Sequence, residues 1–133
     1  MFTKRVSADD TAVGTQARGE AAENRALAWL QARGLVLVER NYRVARGPHA
    51  RGGEIDLVLR DRDGTLVFVE VRARASRAQG GAAASVGARK QQRLRYAAQH
   101  YLLRFAAPPP CRFDVVAIDG DGIEWLQAAF DGA

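Results

Sequence analysis

The chain has 133 residues, of which 47% are hydrophobic, and a formal net charge of +5. A single domain of this length can bury a full core, while one cysteine excludes a disulfide framework and a four-cysteine zinc site. No apolar run approaches the roughly 20 residues of a membrane span, and none follows the N-terminus as a signal peptide would require. We therefore expect a cytoplasmic protein.

The basic residues are 18 arginines against only Lys4 and Lys90. A basic excess suits a polyanionic partner such as nucleic acid. An arginine bias across a whole chain can also come from genome composition. The charge therefore permits a nucleic-acid partner without identifying one.

Residues 1–13 are polar and show no periodicity, which predicts a disordered tail before a single domain over residues 14–133. Residues 15–33 read as the first helix, because Thr15 can cap its start and Gly34 can end it. Its apolar stripe contains Ala22, Ala26, Trp29 and Leu30. Glu20 lies in the first turn, where an acid is an ordinary partner of the helix dipole.

A first strand is predicted over about residues 35–44, followed by a loop rich in glycine, proline and arginine up to Gly53. Arginine pairs with phosphate in a bidentate manner, so Arg43 and Arg51 are candidates for nucleic-acid contacts. A solvated, flexible loop without such a role is an equal alternative.

Residues 53–60 and 66–72 alternate between apolar and polar side chains, which predicts a β-hairpin. If residues 62–64 form its loop with Gly64 left-handed, Glu70 lies opposite Asp56 and Arg72 lies opposite Glu54. Two opposed carboxylates repel each other, and a bound divalent cation would remove that penalty. A four-residue loop would put the two acids on opposite faces, and a solvated sheet face without a metal is the other alternative.

The segment after the hairpin, residues 73–86, is rich in alanine, glycine and serine, and Arg74 within it is another candidate for nucleic-acid contacts. The second helix is predicted over residues 88–105. Arg89, Lys90 and Arg93 lie in its first half, where positive charge opposes the helix dipole. A phosphate backbone would explain them, and a solvated face is the alternative. Three prolines from Pro108 end this helix, and two more strands follow.

Four motifs occur together and in order after the Gly19-Glu20 pair. They are Arg40-Asn41-Tyr42-Arg43, Gly53-Glu54-Ile55-Asp56-Leu57-Val58, Val67-Phe68-Val69-Glu70-Val71-Arg72 and Cys111-Arg112-Phe113-Asp114-Val115-Val116-Ala117. The combination resembles the YraN family of predicted bacterial endonucleases, over about residues 15–130. That family is similar to archaeal Holliday junction resolvases of the PD-(D/E)xK nuclease superfamily. The resemblance implies an α/β fold with a restriction-endonuclease-like mixed sheet of about five strands, flanked by helices.

By the same resemblance, Asp56 and Glu70 match the metal-binding acids, and Glu20 matches a helix-borne acid at the catalytic site. The expected cofactor is Mg²⁺ or Mn²⁺, the expected reaction is phosphodiester hydrolysis in branched or structured DNA, and a homodimer is expected because the resolvases form one. Residues 44–51 look like an insertion relative to this family.

Arg72 stands where the signature has a catalytic lysine. An arginine keeps the charge but is not readily deprotonated, so loss of catalysis is an open alternative. The chain is then a nuclease, or an impaired nucleic-acid-binding module of the same fold. A protein-interaction domain that reuses the fold is a third alternative.

Overall fold

The computed structural model describes residues 8–45, 47, 52–73 and 86–132, with the backbone alone over residues 8–18. Within these ranges it contains two helices, α1 (Ala8–Ala32) and α2 (Ala88–Leu102). Its five strands are β1 (Val36–Val44), β2 (Gly53–Arg60), β3 (Leu66–Ala73), β4 (Cys111–Asp119) and β5 (Gly122–Phe130). The predicted α/β class with a five-stranded sheet and flanking helices is confirmed.

The five strands form one mixed sheet in the order of the chain, β1-β2-β3-β4-β5. Only β3 and β4 run parallel to each other, and the other neighbouring pairs are antiparallel. A parallel pair needs a crossover connection, and α2 lies in the segment that joins these two strands. Helix α2 therefore crosses over one face of the sheet between β3 and β4.

Each helix packs against its own face of the sheet. On the α1 face, Leu57 and Val69 join Ala26 and Leu30 in one buried cluster. On the α2 face, the second cluster is built from Val58, Leu66, Phe68, Leu94, Ala97, Tyr101 and Phe113. The alternation of β3 puts Phe68 on the α2 face and Val69 on the α1 face, as the period of two in a strand requires. Both faces of the sheet are thus buried.

The helix bounds differ from the predicted ones at two ends. Helix α1 begins at Ala8, because no proline interrupts the segment and Thr15, the predicted cap, is an interior residue. Helix α2 ends at Leu102, and Phe105 follows in an irregular turn rather than in the helix. Part of the predicted tail, residues 1–7, lies outside the described residues. Neither α1 nor α2 is both long and apolar enough to cross a lipid bilayer.

Gly53 lets α2 pack directly on the start of β2. A Cβ atom there would lie 2.8 Å from the Ala97 amide nitrogen and 2.9 Å from the Ala97 Cβ, closer than real side chains come. Since the obstacle is the helix backbone itself, only glycine allows this approach. The contact brings the first half of α2 over the beginning of the hairpin.

Asp114 is a buried carboxylate with a structural task on β4. It accepts hydrogen bonds from Arg112 Nε (3.1 Å), Trp125 Nε1 (2.9 Å) and the Ala128 amide (2.9 Å). Ala128 has a left-handed φ of 50°, in the part of β5 where the register with β4 shifts. Asp114 therefore holds the irregular stretch of β5 in place, and its oxygens are fully used.

Candidate metal centre and nucleic-acid interface

The β2-β3 hairpin has the predicted three-residue loop. Gly64 is left-handed, with φ 90°, its amide donates to the Asp61 carbonyl at 3.0 Å, and the Asp61 amide donates to the Thr65 carbonyl at 2.9 Å. Val58 pairs with Phe68, as this loop length requires. The alternative with a four-residue loop is wrong, and Asp56 and Glu70 consequently point toward the same region.

The two strands separate where the acids lie. Backbone pairing of the hairpin ends at Leu57 and Val69, one position before Asp56 and Glu70. There the Val71 amide donates to Asp56 Oδ2 at 2.9 Å. On the other side of β2, Asn41 has a left-handed φ of 52° between the paired residues Arg40 and Tyr42. The sheet is therefore distorted at Asp56, and a side-chain carboxylate accepts the amide proton there.

Asp56 and Glu70 form a closely interacting carboxyl pair. Burial, followed by the charge of Asp56, raises the pKa of Glu70 to about 8. Burial also raises the pKa of Asp56, and the hydrogen bond from the Val71 amide opposes that rise. Only 3% of the Glu70 surface is exposed. Two buried acids that resist ionisation side by side are an arrangement that a cation would relieve.

Helix α2 supplies one such cation. Lys90 Nζ lies 3.3 Å from Glu70 Oε1, and its charge lowers the pKa of both Glu70 and Asp56, against the effect of burial. The sequence predicted Lys90 as a contact to a phosphate backbone, together with Arg89 and Arg93. The folded chain places its ammonium at the acid pair, where the sequence predicted only Arg72 as the positive group.

Helix α1 approaches the pair with Glu23. Burial, and next the charge of Asp56, raise the pKa of Glu23, and Arg40 Nη2 lies 3.3 Å from its Oε1. Glu20, the helix acid singled out in the sequence, is exposed one turn earlier. It lines a cavity of about 420 Å³ together with Asn24, Arg40 and Asn41. The helix acid that interacts electrostatically with Asp56 is thus Glu23.

The other predicted contact residues have varied surroundings. Arg72 is half-buried on β3 and forms no hydrogen bond or ion pair with the described residues, while Glu54, its predicted partner, pairs with Arg43 at 3.5 Å. Arg89 is exposed. Arg93 is half-buried, and its buried Nε has no hydrogen-bond partner within the described part of the chain. Arg51, Arg74 and most of the predicted loop over residues 73–86 lie outside the described residues.

The donor set fits a hard divalent ion with few protein ligands. Within the described ranges, no three of histidine, cysteine, aspartate and glutamate group together as a metal site would need. Mg²⁺ is commonly held by one or two carboxylates, with waters and substrate phosphates completing the shell. Asp56 and Glu70 match that requirement, and Zn²⁺, which prefers histidine and cysteine, has no comparable set among these residues.

The sequence was compared with models of known protein families. The model of the family described as uncharacterised protein family UPF0102 matches residues 22–118. The chain belongs to the UPF0102 family. The matched range contains Glu23, Asp56, Glu70 and Lys90, whereas Glu20 lies outside it. The resemblance to the YraN family of predicted endonucleases is thereby confirmed at the level of the family.

Other members of UPF0102 match nearly the whole chain. A UPF0102 protein of Methylibium petroleiphilum is 70% identical over 121 residues, covering 91% of this chain and 99% of its own. One of Acidovorax is 61% identical over 130 residues, covering 98% and 96%, respectively. One of Cupriavidus taiwanensis is 60% identical over 116 residues, covering 87% and 84%. Their names state the family alone, so an argument about activity has to come from the site.

Sequence reasoning did not assign Glu23 and Arg40 to this UPF0102 site. One signal for Glu23 was available, because it lies three residues after Glu20 and so shares its side of a helix. The signal for Arg40 was its place in the Arg40-Asn41-Tyr42-Arg43 motif. Apart from Tyr42 this strand segment is polar, which indicates a role other than packing in the core. The packing of α1 on the sheet brings Glu23 to Asp56, and the pairing of β1 with β2 brings Arg40 there.

Proposed function

We propose that this chain is a metal-dependent endonuclease that hydrolyses phosphodiester bonds in branched or structured DNA. The observation that carries the proposal is the pair formed by Asp56 and Glu70, whose pKa values are raised by burial and, for Glu70, by the neighbouring acid. A fold gains no stability from two buried carboxyls in contact, whereas perturbed acids in such an arrangement are typical of functional sites.

Asp56 and Glu70 would hold a Mg²⁺ or Mn²⁺ ion. A bound divalent ion supplies Lewis-acid polarisation of a phosphate and lowers the pKa of a coordinated water. Glu23 stands on the α1 side of the pair, in electrostatic contact with Asp56. Its task is to accept a hydrogen bond from a water that approaches Asp56 from that side, and Arg40 fixes its carboxylate for this purpose.

Lys90 supplies the positive side chain for the scissile phosphate. In the chain by itself the ammonium faces Glu70 Oε1 at 3.3 Å. With Glu70 serving as a metal ligand, Lys90 would be free to donate to a phosphate oxygen beside the carboxylates. Arg72 lies two residues after Glu70 on the same strand and has no partner among the described residues, so it would make a second phosphate contact.

The DNA backbone would approach along the first half of α2. Arg89 precedes Lys90 on this helix and Arg93 follows it. Arg43 lies on β1, opposite Glu54 of β2. Positive charge at a helix N-terminus opposes the dipole and does not stabilise the helix, so a phosphate backbone is the partner that accounts for it.

The proposal is tested by cleavage of labelled four-way junctions, flaps and Y-shaped DNA by the purified chain in Mg²⁺ or Mn²⁺. Asp56→Asn and Glu70→Gln are the inactivating variants, because they keep the shape of each side chain and remove its charge. Asp121→Asn, in the exposed turn between β4 and β5, is the matched control for loss of a carboxylate. We expect cleavage by the wild type and by the control, and at least a hundredfold slower cleavage by the two variants. Equal rates for the wild type and Asp56→Asn would reject the nuclease.

A nucleic-acid-binding module without cleavage is the second candidate. The ion pair between Lys90 and Glu70 favours it, because a protein cation already stands where a divalent ion would act. This candidate predicts salt-sensitive binding of the same DNA. The logarithm of the binding constant should fall less steeply with the logarithm of the salt concentration when Arg89 and Arg93 are replaced by alanine. Binding without cleavage in either metal would select this second function over the first.

A further inference from the structure

The cavity between α1 and β1 is a second polar site, and of its lining residues only Arg40, which fixes Glu23, has a place in the proposed catalytic site. It has a volume of about 420 Å³ and is lined by Glu20, Asn24, Arg40 and Asn41. Binding pockets for small ligands and nucleotides have volumes of roughly 300–1,000 Å³. The lining contains one guanidinium, one carboxylate and two amides, so it can both donate and accept hydrogen bonds.

One side chain of this cavity carries a positive charge. Arg40 gives Nη2 to Glu23 at 3.3 Å, and 32% of its side chain remains exposed. Its Nε has no hydrogen-bond partner among the described residues, but that atom is buried and faces no open space. A partly exposed guanidinium beside a cavity makes a phosphate oxygen its natural ligand.

The cavity also lies beside Asp56. Asn41 lies on β1 between Arg40 and Tyr42, whose partners on β2 are Leu57 and Ile55, so it is directly beside Asp56. Its backbone is left-handed there, with φ 52°. A strand that passes Asp56 would therefore have a neighbouring nucleotide at the cavity.

We infer that the cavity of Glu20, Asn24, Arg40 and Asn41 binds one unpaired nucleotide of a nucleic acid that passes the Asp56-Glu70 pair. Arg40 holds the phosphate. Asn24 and Asn41 bind the edge of the base, because an amide pairs with the donor and acceptor groups that an unpaired base exposes. Glu20 accepts from an amino or imino group of that base. This inference shares with the proposed function only the premise that the partner is a nucleic acid.

The test measures binding in EDTA, so that it does not depend on metal or cleavage. Two fluorescent DNAs of equal length are compared by anisotropy, a duplex with a single-stranded flap and a fully paired duplex. The variants are Asn24→Ala, which suits a helix, and Asn41→Gly, which keeps the left-handed backbone that glycine adopts readily. Gln31→Ala, exposed on α1 outside the cavity, is the matched control, and circular dichroism verifies the fold of each variant.

We expect Asn24→Ala and Asn41→Gly to weaken binding of the flap DNA about five- to tenfold, the effect of one or two lost hydrogen bonds, with the paired duplex and the Gln31→Ala control unchanged. Equal affinity of wild type and variants for the flap DNA would overturn the inference, and so would an equal loss for both DNAs. A chain that shows the flap-specific loss but never cleaves in Mg²⁺ or Mn²⁺ would keep this inference and reject the nuclease.

Discussion

Lys90 on α2 and Glu70 on β3 form an ion pair, with 3.3 Å between Nζ and Oε1. The carboxylate is almost fully buried, while the lysine side chain is 37% exposed. This contact joins the basic half of α2 to the acid pair of the hairpin. The charge on Glu70 therefore depends on a residue of another element. Predictions follow for Glu70, for Lys90, for a bound divalent ion and for the packing of α2.

Glu70→Gln should flatten the pH dependence of stability in the absence of divalent ions. Because the pKa of Glu70 is raised to about 8, the folded chain keeps a proton that the unfolded chain releases near pH 4.5. The unfolded state therefore binds fewer protons between these values, and the free energy of unfolding falls as the pH rises from about 4.5 to about 8. The contribution is complete below the unfolded pKa and is lost above the folded one.

Urea unfolding at pH 5 and pH 8.5 measures this effect. The wild type should lose at least ~1.4 kcal/mol more than Glu70→Gln between the two values, the equivalent of one pKa unit. Glu20→Gln, which removes an exposed acid from the same region, should keep the wild-type dependence. Parallel curves for the wild type and Glu70→Gln would show that Glu70 is not the group responsible.

Lys90→Met should destabilise the chain at pH 8.5 and have a smaller effect at pH 5. At the higher pH it leaves a buried Glu70 carboxylate without its cation, whereas at the lower pH Glu70 is neutral in the folded chain. The loss should be roughly 1 kcal/mol, modest because Lys90 is partly solvated, with a melting temperature lower by roughly 3–5 °C. Differential scanning calorimetry measures it, with Arg89→Met as the exposed neighbouring control. An equal loss at both pH values would contradict the role of the ion pair.

Addition of Mn²⁺ or Mg²⁺ should raise the melting temperature at pH 8 if Asp56 and Glu70 bind the ion. A ligand that binds only the folded chain at a hundred times its Kd adds about 2.7 kcal/mol to the free energy of unfolding. The increase should be smaller at pH 5.5, where protons compete for the two carboxyls, and absent in Asp56→Asn. Thermal melts with Ca²⁺ and with EDTA serve as controls. A shift of equal size in Asp56→Asn would place the ion elsewhere.

Gly53→Ala should destabilise the chain by about 1–3 kcal/mol, since the added methyl would meet the backbone of α2 at Ala97. The helix has to move away from β2, and Lys90 would move away from Glu70 with it. Gly19→Ala is the matched control, because its Cβ meets nothing within 4 Å and the helix interior gains about 1 kcal/mol from alanine. Chemical denaturation of both variants checks the prediction. A neutral Gly53→Ala would contradict the close approach of α2.

The hairpin shows how far the sequence reached. The alternation of residues 53–60 and 66–72, with glycine at position 64, predicted the hairpin and left a three-residue and a four-residue loop open. The pairing of Val58 with Phe68 in the structure selects the three-residue loop. Local geometry decides such a register, because the turn fixes which residues face each other. The sequence did not predict that the ladder would end before Asp56, where a side chain replaces a backbone acceptor. That break depends on β1, whose left-handed Asn41 lies beside it.

The two helices show where the local signals ended. A cap at Thr15 was a reasonable prediction from residue preference, yet α1 continues back to Ala8, because a preference for caps is weak compared with an uninterrupted helical segment. The basic cluster of α2 was found in the sequence as a group. Nothing local distinguishes Lys90, which meets Glu70, from Arg89, which is exposed.

The sequence by itself determined the strands, the presence of both helices and, for a three-residue loop, the approach of Glu70 to Asp56, because each follows from periodicity and from a turn only a few residues long. The tertiary structure alone decided that Lys90 joins them and that Glu23, rather than Glu20, interacts with Asp56. Those contacts link elements far apart in the chain. They are fixed by how closely two helices pack on opposite faces of one sheet. That distance depends on the shapes of side chains, and on their absence at Gly53, which the spacing of residues along the chain does not reveal.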